Sequence, residues 1–308
     1  MSRLLEIQQQ LQETNAAISN LERATAQSDP SPSLQAMVSS LTKRQRNLEA
    51  KFLEAADGLG VDVFSYRLTH GAGQPTAAGL SSALGDFQQV LSIVYDAIKN
   101  GPKQRGRVSA EVAEDTALHF GYAFAGSVGM VFTIDNDRLL IGETELDESI
   151  KTIFEMAKTH STDEMSKFAH RLGAPPIRAL YKWANDLVMY GLGADIEWRR
   201  GREVRTSVTV QVPELEELRR VIDATSEERE EEITVTGELA GADVATKRFH
   251  MRFPDAEDIR GTFSDAIASE HKAAIPQSYK AVIRMTTKTR FSMDEDEVTY
   301  FLLRLELA

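Results

Sequence analysis

From the start of the chain, Leu4, Ile7, Leu11, Thr14, Ile18 and Leu21 recur at alternating three- and four-residue intervals, with glutamine, glutamate and asparagine on the other faces. That narrow stripe is the pattern of a coiled-coil helix. Leu34, Val38, Leu41, Gln45, Leu48, Phe52 and Ala55 repeat the spacing. Between the two runs, Ser28-Asp29-Pro30-Ser31-Pro32-Ser33 carries two prolines, which remove amide donors and push the preceding residues into extended geometry. The chain is expected to turn there. Asp57-Gly58-Leu59-Gly60 ends the second run, with Gly58 suited to a left-handed cap. Two helices of similar length on a short connection lie antiparallel, so residues 1–58 are read as a coiled-coil hairpin. Two stripes this narrow bury only one seam against each other. Self-association through Leu4, Leu11, Ile18, Leu34, Leu41, Leu48 and Phe52, or pairing with a partner helix, is therefore expected ahead of packing on the chain's own body. Gln45 at a seam position would help to fix the register.

Residues 61–212 read as a central mixed α/β domain. Residues 61–68 alternate as a half-buried strand does. The glycine-rich loop His70-Gly71-Ala72-Gly73-Gln74-Pro75 leads to a helix whose apolar face is Leu80, Leu84, Phe87, Leu91, Val94 and Ile98, closed by Asn100-Gly101-Pro102. A β-hairpin is expected from 128–134 and 138–141 across Asp135-Asn136-Asp137. Three helices follow: 145–158, one opened by the capping box Ser161-Thr162-Asp163-Glu164 and ending at Gly173, and one starting at Pro175-Pro176. Residues 194–199 and 203–212 form a second expected hairpin, turning at Arg200-Gly201-Arg202.

Residues 213–308 read as a linker helix (213–224), a charged boundary at Glu227-Glu228-Arg229-Glu230-Glu231-Glu232, and a small barrel. Five strand-like runs, at 233–239, 244–253, 258–263, 279–287 and 298–307, with a helix over 264–272, describe an antiparallel barrel of the SH3-like or OB-like kind. The fold class is thus α+β. The string Gly237-Glu238-Leu239-Ala240-Gly241-Ala242-Asp243, followed by Phe249 and by Ile259-Arg260-Gly261, resembles a small-barrel pattern in uncharacterised bacterial proteins, some of them encoded near phage-defence genes. The resemblance covers the last quarter of the chain. It implies a place in a bacterial defence assembly and carries over no catalytic residue.

With 308 residues, 42% of them hydrophobic, the chain can bury a substantial core. Its 35 basic and 47 acidic residues leave a net charge of -12, which argues against general binding to a nucleic-acid backbone or anionic lipid. Any anion site must be a local patch. The absence of cysteine rules out disulfides, thiolate catalysis and cysteine-based zinc sites. The opening Met1-Ser2-Arg3-Leu4-Leu5-Glu6 offers no apolar signal-peptide core, so a cytoplasmic location is expected. Residues 116–134 lack Asp, Glu, Lys and Arg but contain Gly121, Gly126, Ser127 and Gly129 and end in β-branched and aromatic residues. They read as a buried strand and not a membrane span.

The strings that could carry chemistry are weak. Ala125-Gly126-Ser127-Val128-Gly129 matches the alanine variant of the nucleophile elbow, but a strand pattern follows the serine where an elbow needs a helix. The six histidines, at 70, 119, 160, 170, 250 and 271, share no ligand spacing, and Asp135-Asn136-Asp137 lacks the glycine and glutamate of a calcium loop, so no metal or other cofactor is expected. Two basic groups stand out as anion-binding candidates. One is Lys99, Lys103, Arg105 and Arg107, in a loop that follows a helix. The other is on the barrel, where a period of two sends Phe249, Met251 and Phe253 inward and Arg248, His250 and Arg252 outward, with Lys280, Arg284 and Lys288 on one face of a later strand. If those strands are neighbours, the barrel has a basic face. The leading expectation is a non-enzymatic, self-associating interaction protein with a further protein partner and no membrane attachment. A nucleic-acid or nucleotide-binding module is the alternative, and an enzyme whose site is assembled from distant loops is the third.

Overall fold

The alternating run near residue 61 becomes the middle strand of an antiparallel sheet. Strands β1 (Val61–His70), β2 (His119–Phe124), β3 (Val128–Asp135), β4 (Leu192–Arg200) and β5 (Glu203–Val210) lie in the order β2-β3-β1-β4-β5. The computed structural model describes residues 2–26, 32–71, 75–103, 105–124, 128–136, 143–254, 256–264, 267, 273–293 and 296–308. The fold is α+β and divides into two units, Met1–Ala224 and Thr225–Ala308. Among the described residues no helix is long and apolar enough to cross a membrane.

In the first unit, helices cover both faces of the sheet. On one face lie α3 (Ala77–Asn100), capped by the Thr76 hydroxyl, which accepts a hydrogen bond from the Gly79 amide, and α7 (Ala174–Met189). Phe87 of α3 meets the rings of Phe64 and Tyr66 edge-on, and the Trp183 indole donates to the Tyr66 hydroxyl at 3.1 Å. On the other face lies the hairpin of α1 (Ser2–Ala26) and α2 (Pro32–Gly58). Its Ile7, Leu11, Leu48, Phe52 and Ala56 form one buried cluster with Val63, Tyr122 and Val131 of the sheet. Alternation along β1 explains both contacts: Val63 points one way, Phe64 and Tyr66 the other.

The remaining helices are α4 (Ala110–Asp115), α5 (Glu145–Ala157), α6 (Thr162–Leu172) and α8 (Val212–Ala224). Helix α4 and strand β2 were not anticipated from the periodicity, since both are only 6 residues long. The expected 128–134/138–141 hairpin is replaced: β1 and β2 occupy both edges of β3, and residues 138–141 lie outside the described residues. The second hairpin, β4–β5, forms with Gly201 in the left-handed region. At the end of α2 it is Gly60, and not Gly58, that adopts positive φ. The bend at 28–31 also lies outside the described residues.

The second unit is a closed barrel of β6 (Ser226–Asp243), β7 (Arg248–Arg252), β8 (Ile259–Phe263), β9 (Gln277–Arg290) and β10 (Glu297–Leu307) around Leu239, Phe249, Met251, Phe263, Ala281, Ile283 and Leu302. Two expectations change here. Helix α8 belongs to the first unit, where its buried Leu215, Leu218 and Ile222 face α6 and α7. The acidic run 227–232, expected as a boundary, begins just past the division at Ala224 and forms the first half of β6. It can be a strand because β9 brings cations opposite it: Glu228 faces Lys288 and Glu232 faces Arg284. Most of the expected 264–272 helix lies outside the described residues.

Phe52 is 0% exposed and meets Tyr122 edge-on at 5.3 Å between ring centroids. Phe52→Ala is expected to destabilise the first unit by roughly 3–5 kcal/mol, measured by denaturant unfolding. A loss below about 1 kcal/mol would mean that the hairpin is not part of the core.

Candidate functional site

The seam residues divide into two groups. Leu11, Ile18, Leu48 and Phe52 are buried, and three of these four belong to the cluster shared with the sheet. Leu4 packs at the margin of that cluster. Helix α1 also borders the sheet edge, where Asn15 donates to the Ala123 carbonyl of β2 at 2.7 Å. The lower part of the seam is therefore engaged by the chain's own body, the arrangement that the sequence reading ranked behind self-association. Farther out, Leu21, Leu34, Val38 and Leu41 are only half-buried, and Met37 is 53% exposed.

A buried polar network pins the other end of β1. Asp62 accepts from the Trp198 indole at 3.1 Å, from Asn136 at 2.7 Å, and from two nitrogens of Arg200 at 3.1 and 3.2 Å. Arg200 also reaches Asp147 at 2.5 Å, and Asn136 donates to the same carboxylate at 2.9 Å. Thr144 caps α5, accepting from the Asp147 amide and donating to Asn136. Both aspartates are fully buried. Burial alone would raise the Asp147 carboxyl, but the hydrogen bonds and charge of Arg200, with help from Asn136 and the Thr144 backbone, hold it below the ordinary 3.8. Both carboxylates are spent on groups of the sheet and of α5, and Arg200 is only 20% exposed, so the arrangement braces the sheet. Sequence reasoning missed it, although an aspartate at an inward position of an apolar strand was a visible signal. Asn136, considered only as part of a hairpin turn or a calcium loop, is its central donor.

The basic loop after α3 is also largely engaged internally. Lys99 pairs with Glu111 and Asp115 at 3.1 and 2.8 Å, and Lys103 pairs with the buried Asp96 at 2.5 Å. The cavity beside Lys103 and Arg105 measures about 10 Å³, the space of roughly one water. Arg105 and Arg107 remain exposed, so the loop offers two separate charges where four in a patch were expected. Ser127 lies outside the described residues. Gly129 has a packing reason: it faces Phe124 across β2–β3, and a Cβ there would stand 2.1 Å from that ring.

On the barrel, the basic residues do not form one face. Strands β7 and β9 are separated by β6, whose acids meet the cations of β9. Lys280 faces Glu306 of β10, Lys288 faces Glu228 and Glu297, and Arg284 faces Glu232 and pairs with Glu230 at 3.7 Å. Arg252 pairs with Glu238 at 3.6 Å. What remains is a smaller group on β7 and β8. Arg248 stands opposite Thr262, and His250 stands opposite Arg260, a residue that the basic-patch reading overlooked because it lies on a different strand. These four, with Gly241 and Asp243 of β6, line a cavity of about 670 Å³. The His250 Nε2 lies 2.7 Å from Asp258, and that contact holds the Asp258 carboxyl below its usual range.

Two outcomes test the bracing role of the network. Arg200→Leu, which leaves two buried carboxylates without their cation, is expected to cost roughly 3–5 kcal/mol in urea unfolding. Arg202→Leu, which removes an exposed pair with Glu54, should cost under about 1 kcal/mol. The Asp147 carboxyl ionises more readily in the folded chain than in the unfolded one, so its contribution is complete above 3.8 and is lost as the pH falls below that value. Asp147→Asn should flatten the pH dependence of unfolding in that acid range, and an unchanged slope would contradict the assignment. Among known proteins, the chain matches no family model, and no curated protein or solved structure is similar enough to count as a match.

Proposed function

We propose that the protein is a non-enzymatic interaction protein, a component of a larger assembly, whose copies join through the outer half of the N-terminal hairpin as a coiled coil. The observation that carries this reading is the contrast along one seam. Leu11, Leu48 and Phe52 are buried against the sheet, whereas Leu21, Leu34, Val38 and Leu41 keep the same spacing and, with Met37 beside them, remain partly open to water. Apolar residues on a surface of this kind gain by meeting a matching stripe, and a second copy supplies one in the correct register. Gln45, at the inner end of the open stretch, favours a single register over sliding alternatives.

A second reading concerns the barrel, and its strand order favours it. Proceeding from β6, the closed order is β6-β7-β8-β10-β9, and the β8–β10 contact is parallel while the other pairings are antiparallel. That arrangement supports an OB-like module over an SH3-like one. In OB-like modules the face of the second and third strands, with the loops joining strands one to two and four to five, contacts oligonucleotides and sugars. Here those positions fall to β7, β8 and the loops that lead into β7 and β10, by analogy of fold.

For the assembly, light scattering at micromolar concentration should give at least twice the 34.2 kDa chain mass. Leu34→Glu with Leu41→Glu should return the monomer without changing the circular dichroism spectrum. A monomeric wild-type protein would contradict the proposal.

A further inference from the structure

We infer that the outer face of β7 and β8 is a binding site for a small phosphate-bearing ligand of the diphosphate class, held by Arg248 and Arg260. The inference rests on the reading of the barrel as the ligand-binding unit and adds what is bound and where. Both arginines are exposed, and neither makes an ion pair among the described residues, in a barrel where Arg252, Arg284 and Arg290 all do. In the β7–β8 register Arg248 is opposite Thr262 and Arg260 is opposite His250, so the two arginines are diagonal neighbours on the same face. Diagonal positions across antiparallel strands lie roughly 7–8 Å apart, which lets two guanidinium groups converge on adjoining phosphates. Guanidinium is the side chain whose planar fork matches phosphate oxygens.

Two carboxylates border the site, and each feels the charge of one of its arginines, Asp243 that of Arg248 and Asp258 that of Arg260. Asp243 accepts from the amides of Ala245 and Thr246 and from the Thr246 hydroxyl, and Asp258 is held by His250. The Thr262 hydroxyl is exposed on the same face. At Gly241, opposite His250, a Cβ would find only the His250 Cβ, at 3.9 Å, so the strand backbone is open to a ligand there. A cavity of about 670 Å³ falls in the usual range for small-molecule sites.

The same surroundings disfavour a long polyanion. Glu238 of β6 stands opposite β7, and the chain has a net charge of -12. Phe249, the aromatic residue of this cavity, is buried in the barrel core and offers no ring for a base to stack on. A compact ligand can use both arginines without crossing the acidic strand.

The test uses the full chain labelled with ¹⁵N, titrated separately with pyrophosphate and with a short oligothymidylate while amide shifts are followed. Pyrophosphate should move resonances of residues 241–262, and Arg248→Gln and Arg260→Gln should each raise its Kd by about tenfold or more, whereas Arg284→Gln should leave it unchanged. If oligothymidylate alone binds this face, or pyrophosphate binds the barrel elsewhere, the diphosphate inference fails and the barrel reading survives. If neither probe moves any barrel resonance, both fail.

Discussion

Strand β1 is covered on both faces over its first half, where Asp62, Val63 and Phe64 are all buried, and the first unit is organised around that constraint. Val63 meets the hairpin, Phe64, Tyr66 and Leu68 meet the helices of the opposite layer, and Asp62 closes the polar network with Arg200, Asn136 and Asp147. A strand placed this way cannot lose either layer without exposing apolar side chains to water. The lower part of the hairpin is accordingly a structural layer of the first unit. The charged network at one end of β1 adds direction more than raw stability, since a buried ion pair roughly offsets its own desolvation but punishes any arrangement that leaves one member unpaired. Trp198 and Arg200, two residues apart on β4, both reach Asp62, which fixes the β1–β4 register at that end.

Much of this architecture was legible in the chain. The heptad spacing located both hairpin helices, the 3.6 period located α3, and the period of two located β1, β4, β5 and the barrel strands. What the patterns did not reveal was which surface each stripe would meet. A narrow stripe signals a partner without saying whether that partner is another helix, a sheet of the same chain or a second copy. Here Leu48 and Phe52 meet the sheet, while Leu34 and Leu41, on the same stripe, do not. The 227–232 run shows a related limit. Six charged residues in a row suggest a solvated boundary until Lys288 and Arg284, 60 and 52 residues later in sequence, are placed opposite Glu228 and Glu232.

The candidate sites followed the same rule. Charges close in sequence proved to be engaged with acids that sequence proximity did not reveal, as with Lys103 and Asp96, while Arg248 of β7 and Arg260 of β8 were brought together by strand pairing alone. The glycines behind the small-barrel resemblance also acquire a physical meaning. A Cβ at Gly261 would stand 2.2 Å from the Tyr300 carbonyl oxygen, and one at Gly237 would stand 2.5 Å from the Phe253 ring. They allow close approach inside the barrel and say nothing about what the barrel binds.

The central claim is that one hairpin serves two purposes, its lower half as a layer of the fold and its upper half as the surface that joins copies. Hydrogen–deuterium exchange read along α2 at several protein concentrations tests this most directly. The account predicts that amides from Leu48 to Ala56 are protected as strongly as those of β1 at every concentration, while protection from Leu34 to Leu41 rises as the protein is concentrated. Protection that is uniform along the helix and independent of concentration would contradict it.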